Sequence, residues 1–112
     1  MKAVTLISTK EFDTKVKGLL GADDLAWLEF SLATNPAAHP VIPGTDGVRK
    51  MRFSRPGMGK RGGVRVIYFY AVSAELVLLL TAYAKNEKEN LSNEDTKNLR
   101  KAVAIFQKAL ES

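Results

Sequence analysis

Seven cationic side chains fall within residues 49–65: Arg49, Lys50, Arg52, Arg55, Lys60, Arg61 and Arg65. No Asp or Glu lies anywhere between Gly47 and Tyr70. The whole chain carries 17 basic and 12 acidic residues, for a net charge of +5. Outside this stretch the remaining ten cations are outnumbered by the twelve acids. The positive charge is therefore concentrated in one segment of a slightly acidic chain, the pattern expected of a surface that meets a polyanion. With no acid among them, these cations cannot be neutralised within the segment. Arg offers a planar fork that matches phosphate oxygens, and Lys a compact point charge.

One chemistry open to such a set is RNA cleavage. RNA carries its own nucleophile, the 2′-OH, beside each phosphate. A protein then has to position the bond, stabilise charge that builds on the phosphate and move two protons. Arg and Lys supply the electrostatic part. A lysine held among other cations is disfavoured in its protonated form and can serve as a base; Lys50 is the candidate. A Tyr or a second Lys can protonate the leaving oxygen, and Tyr83 and Lys85 have suitable types and positions. This chemistry needs neither metal nor cofactor. His39, the only histidine, lies between prolines and reads as an ordinary loop residue. One histidine supports neither a Ser-His-Asp arrangement nor a histidine metal site. The loop RPGMGKRGG lacks the G-x-x-x-x-G-K-[ST] pattern of a nucleotide P-loop. It reads as a hairpin tip or as a loop that wraps RNA or a ribosome surface, with Arg55, Lys60 and Arg61 as binding residues alongside Arg49.

The elements that must position these residues are legible from periodicity. The 112 residues are expected to form one domain, 1–112. There is no cysteine, which removes disulfides and thiolate metal sites. The longest apolar run, LVLLLTAYA, is about half a membrane span, so the expectation is a soluble cytoplasmic protein with no membrane partner. Lys2–Ser8 reads as a first strand. Ser8 or Thr9 caps a helix bearing Phe12, Val16, Leu19 and Leu20, and Gly18 and Gly21 mark its end. Asp23 or Asp24 caps a second helix to about Ala33, with Leu25, Leu28, Leu32 and Trp27 assigned to its apolar face and Trp27 to the core. Residues 35–47 hold three of the four prolines and read as loop.

In VRKMRFS, Met51 and Phe53 alternate with Lys50, Arg52 and Ser54, the pattern of a half-buried strand. VRVIYFYAV is its hairpin partner, with Tyr68 and Tyr70 assigned to packing. LVLLLTAYAK is almost wholly apolar and is expected to be a central strand covered on both faces, with Thr81, Tyr83 and Lys85 of one parity. Ser92 and Asp95 form a capping box that opens a last helix to about Leu110, with Leu99, Val103, Phe106 and Leu110 as its inner stripe. The order is strand, two helices, a three-strand antiparallel meander and a C-terminal helix: an α+β fold.

The run GVRKMRFSRPGMGKRGGVRVIYFY followed by LLTAYAKNEKENLS resembles the RelE/ParE superfamily of bacterial toxins, especially its HigB-like branch. The resemblance covers nearly the whole chain in element order, and its most specific pieces are K-x-R, GKRGGVRVIYF and YAKNEK-x-x-L. It implies a compact RelE-like fold and the toxin of a type II toxin–antitoxin system: a ribosome-dependent mRNA endonuclease that stops translation. It also implies a co-encoded antitoxin as partner, expected to carry a helix-turn-helix. By position, Lys50 and Arg52 match the family's basic pair on the first hairpin strand. Arg65 matches its Arg in the following strand, and Lys85 its basic position at the end of the last strand. Some members carry an Arg where this chain has Asn86, and a catalytic Tyr farther along. Here no Tyr follows Tyr83, which leaves the acid between Tyr83 and Lys85. ParE-type members inhibit DNA gyrase on the same fold, so a gyrase inhibitor and a plain RNA-binding module stand as alternatives.

Overall fold

The computed structural model describes residues 3–54, 63–88 and 90–111. Four strands and three helices follow in the order β1 (Thr5–Ser8), α1 (Lys10–Lys17), α2 (Ala22–Thr34), β2 (Val48–Phe53), β3 (Val64–Ala71), β4 (Leu76–Ala84) and α3 (Asn93–Glu111). The sheet order is β1-β4-β3-β2. β2, β3 and β4 form the expected antiparallel meander, and β1 adds to β4 in parallel. The fold is α+β as read from the sequence. β1 is shorter than expected, beginning at Thr5; Lys2 lies outside the described residues.

Both faces of the sheet are covered, which is why β4 could be apolar along almost its whole length. On one face, Phe12 and Val16 of α1 and Leu28 and Leu32 of α2 pack against Met51, Phe53, Val66, Tyr68, Val77 and Leu79. On the other, Val103 of α3, with Leu99, Ala102 and Phe106, packs against Val48, Ile67, Phe69, Leu78 and Leu80. The stripe expected on α3 is thus the buried one, except that Leu110 at its end is 39% exposed.

The capping reading holds at two helices and fails at the third. Thr9 Oγ1 accepts the Phe12 N–H at 3.1 Å and caps α1. Ser92 and Asp95 exchange bonds reciprocally, each backbone N–H donating 3.0 Å to the other's side chain. At α2 the cap position is Gly21, and Asp23 and Asp24 sit inside the first turn. Carboxylates there still complement the positive end of the helix dipole. Trp27 is not core. It is 58% exposed, because Leu25, Leu28 and Leu32 define the stripe facing the sheet and Trp27 projects beside it, its ring 5.9 Å from that of Phe53.

The proline-rich loop is tied down rather than loose. Tyr68 donates its hydroxyl to Pro36 O at 2.7 Å. The fully buried Thr45 donates to Ile42 O at 2.6 Å and accepts from Val48 N at 3.1 Å. Val41 bridges Arg49, so the loop covers part of the outer edge of β2.

One irregularity matters for the site. From Ala71↔Leu76 to Tyr68↔Leu79 the β3–β4 register is regular; then Ile67 pairs with Thr81, leaving Leu80 as an extra residue. Strict alternation from Leu78 would put Leu80 and Ala82 on the α3 face and Thr81 and Tyr83 on the other. The bulge inverts that order, so Thr81 and Tyr83 join the α3 face, opposite Ile67 and Arg65.

Candidate active site

Alternation in β2 puts Lys50 and Arg52 on the α3 face and Met51 and Phe53 in the opposite core. Arg52 stands directly across from Arg65, and Arg65 directly across from Tyr83. Side chains so opposed share a face with Cβ atoms about 5 Å apart. Lys50, opposite Ile67, flanks this row on the side toward the α3 cluster. Arg52 is exposed, Lys50 and Arg65 are half-buried and Tyr83 is buried. The structure therefore brings Lys50, Arg52, Arg65 and Tyr83 together at one end of the sheet face that α3 covers elsewhere.

Gly63 closes the end of the row. Its φ is +102°, and a Cβ there would meet Phe53 O at 2.9 Å and Arg65 Nη1 at 3.4 Å. Only glycine combines that backbone with that proximity. Its carbonyl accepts the Lys85 N–H at 3.1 Å. Lys85 is not a strand residue of Tyr83's parity: β4 ends at Ala84, and Lys85 opens a turn. Its backbone is nonetheless pinned to the start of β3, and its exposed side chain emerges at the same end of the sheet.

The Tyr83 hydroxyl is buried and finds no hydrogen-bond partner among the described residues. Burial raises its pKa above that of a free tyrosine. The Arg65 and Arg52 guanidinia oppose that rise, and the Asp95 carboxylate adds to it. The phenol is therefore held protonated at neutral pH, the state required of a proton donor. Above the ring lies Lys88, its Nζ 5.4 Å from the centroid, also paired with Asp95 Oδ2 at 3.2 Å. Asp95 is held below the usual carboxylate range, first by the Ser92 backbone N–H and also by Lys88. Lys88 falls within the YAKNEK-x-x-L piece of the sequence, but the residue pattern assigns it no role.

The other expected binding residues fare differently. Arg49 belongs to the opposite face of β2, and its Nη1 donates to His39 O at 2.6 Å and to Ala37 O at 3.3 Å. It clamps the proline-rich loop and does not join the row. Arg55, Lys60 and Arg61, with most of the glycine-rich loop, lie outside the described residues. His39 is far from the row in role: its ring meets Tyr68 edge-on at 6.3 Å, and burial with the neighbouring Arg49 lowers its pKa. Among the described residues, no cluster of His, Cys, Asp and Glu could hold a metal ion.

The row offers what in-line phosphate chemistry asks for. Two guanidinia on paired strands, with Lys50 beside them, can hold a phosphate and its developing charge. Next to them stands the buried, protonated phenol of Tyr83.

Known proteins share both the sequence pattern and the fold. Residues 44–112, which include the whole row, match the family described as the RelE toxin of the RelE / RelB toxin–antitoxin system. Among solved structures, an arginine-to-alanine double mutant of the E. coli toxin RelE in the free state is similar with a TM-score of 0.53. It is 17% identical, over 78% of this chain and 88% of that one. The conserved hypothetical protein HP0892 from Helicobacter pylori aligns with a TM-score of 0.52 at 21% identity, over 75% of this chain and 97% of that one. At these identities the structures speak for the fold alone, but the family match spans more than half of the chain and all of the hairpin, β4 and α3. By that match, the chain belongs to the RelE toxin family, the toxin side of a toxin–antitoxin system.

Proposed function

We propose that this protein is a ribosome-dependent mRNA endonuclease of the HigB-like branch, acting in the bacterial cytoplasm and held in check by a cognate antitoxin. The observation that carries the reading is the Arg52–Arg65–Tyr83 row: two arginines face each other across β2 and β3 with a buried, protonated phenol opposite the second. In this reading Lys50 takes the proton from the 2′-OH. The 2′-oxygen bonds to phosphorus, and the bond from phosphorus to the 5′-oxygen breaks. Arg52 and Arg65 bind the non-bridging oxygens as charge grows there. Tyr83 gives its proton to the departing 5′-oxygen, leaving a 2′,3′-cyclic phosphate and a 5′-OH. Lys85, anchored beside Gly63, supplies a further cation to the scissile phosphate. Arg55, Lys60 and Arg61, which lie outside the described residues, are assigned to RNA and ribosome contacts from the sequence alone, whereas Arg49 braces the proline-rich loop. The family supports the existence of an antitoxin partner; among the described residues, no helix is long and apolar enough to cross a membrane.

The test is induced expression in bacteria with mapping of mRNA 5′ ends. New ends inside translated frames, abolished when translation initiation is blocked, are the expected result. Growth arrest without new ends, accompanied by accumulation of cleaved or relaxed DNA, would replace this reading with gyrase inhibition. RNA binding without product or arrest would leave a binding module.

A further inference from the structure

The solvent side of α3 carries a second cationic surface, which the row at the end of the sheet does not use. At about 100° per residue, Lys97, Lys101 and Lys108 fall within about 40° of one another on the side opposite the buried Val103. All three are exposed, as are Ala104 and Ile105 between them. We infer that this face docks the antitoxin, through an acidic amphipathic helix laid across Lys97, Lys101 and Ile105. The inference rests on the antitoxin partner of the reading above and not on the cleavage chemistry.

Charge is the first argument. The solvent side of a helix usually mixes signs, because an acid four residues before a lysine supports the helix. Here Lys97 and Lys101 stand four apart as like charges, which opposes it. No Asp or Glu lies between Lys97 and Lys108. Among the described residues, neither Lys97 nor Lys101 is paired with a carboxylate. Arg100 is turned aside, its Nη1 donating to Gly44 O at 3.1 Å. The second argument is Ile105. At 73% exposure it is the most exposed large apolar side chain among the described residues. It stands apart from Leu99, Val103 and Phe106, which face the sheet. Lys101 and Lys108 lie one turn to either side of it, and their methylene stems widen the apolar surface around it. The result is an apolar centre flanked by cations. A nucleic-acid backbone would satisfy the lysines but offers nothing apolar to cover Ile105. An acidic amphipathic helix supplies both, with an apolar side chain at the centre and carboxylates around it. Lys97 to Lys108 spans about 16 Å, three turns of helix, so such a partner meets cations at both ends of the contact. The face looks away from the sheet, so docking here tethers the antitoxin without touching Arg52 or Arg65.

The probe is the protein encoded in the reading frame adjoining this chain's own. Its affinity for the purified toxin is measured by competition, with growth arrest followed in parallel and circular dichroism verifying the fold of each variant. The double variant Lys97→Glu/Lys101→Glu should bind at least ~30-fold more weakly, and Ile105→Asp at least ~10-fold. Both should still arrest growth. Wild-type affinity should fall as salt rises, and more steeply than that of the double variant. In the complex, amine labelling read by mass spectrometry should find Lys97 and Lys101 protected. Unchanged affinity in the folded variants would overturn the docking face. So would loss of growth arrest with antitoxin binding intact, which would give these lysines to RNA instead. A neighbour that fails to bind the wild type would remove the antitoxin and this face with it. Because the affinity measurement needs no cleavage, weakened binding in a protein that cuts nothing supports the face and removes the nuclease chemistry alone.

Discussion

At the scale of single residues, the proposed chemistry turns on Tyr83, whose hydroxyl is buried without a partner among the described residues. An unbonded buried hydroxyl costs roughly 1–3 kcal/mol. Replacing it should therefore relieve the fold while disabling the chemistry. Tyr83→Phe is expected to unfold at a denaturant concentration equal to or higher than wild type, yet to cleave ~100-fold or more slowly, as for loss of a general acid. Denaturant titration and single-turnover cleavage on the same preparation check both halves; a destabilised variant with normal cleavage would contradict them. The residue types are legible in the sequence: alternation places Lys50 and Arg52 on one face, while the face of Arg65 follows only from the β2–β3 register. Tyr83 could be named only as a type near the end of a strand. Its burial, its unpartnered hydroxyl and the clasp of Lys88 with Asp95 depend on contacts from three separate elements, which no local pattern records. Trp27 departs from the core expected of it for a related reason: a large aromatic on an apolar helix reads as core until the direction of the buried stripe is known.

At the scale of elements, the bulge at Leu80 is what aims the site. Bulges re-aim side chains and concentrate near functional centres, and this one moves Tyr83 onto the face of Arg65. It is held by Thr9, which caps α1 and donates its hydroxyl to Leu80 O at 2.9 Å. Thr9→Val removes both bonds and should cost about 2 kcal/mol, with a fall in cleavage that exceeds the loss of folded protein. Thr9→Ser, which keeps the hydroxyl, should restore both. Rescue by neither or no effect of Thr9→Val would detach the bulge from the site. The second hinge of the arrangement is the capping box of α3. The folded pKa of Asp95 lies below its unfolded value, so its contribution is present above an ordinary aspartate pKa of about 3.9 and fades as pH falls below it. Asp95→Ala should cost about 1 kcal/mol near pH 7, and the gap from wild type should narrow toward pH 3 in urea titrations. A gap independent of pH would mean that the carboxylate charge does not matter to the cap. The box itself was readable, since S-x-x-D before an apolar stripe has a local cause. The bulge was not: the uninterrupted run LVLLLTAYA hides a change of parity, because both faces of β4 are apolar.

At the scale of the molecule, charge is segregated. The cationic stretch sits on a body whose remaining basic residues are outnumbered by acids. Lys50, Arg52, Arg65 and Lys85 converge at one end of the sheet, while Arg49 is diverted to brace the loop. If these four meet phosphates, affinity for a single-stranded RNA should fall with salt with a log–log slope of about −3, and Arg49→Met should leave that slope unchanged. A slope near zero would deny the polyanion. The architecture was the most legible level of all: element order, the central position of β4 and the meander followed from periodicity, because each element buries a face with its own period. What periodicity could not supply was the tying of residues 35–47 by Tyr68, Thr45 and Arg49, which are bonds between distant segments.

The central claim is that this row of side chains cuts RNA. Its most direct test is single-turnover cleavage of mRNA on programmed ribosomes by wild type and Arg65→Ala, with folding of both verified by circular dichroism. Arg65→Ala should cleave at least ~100-fold more slowly, the scale of losing a preorganised partner for transition-state charge. Equal rates from two folded proteins would contradict it.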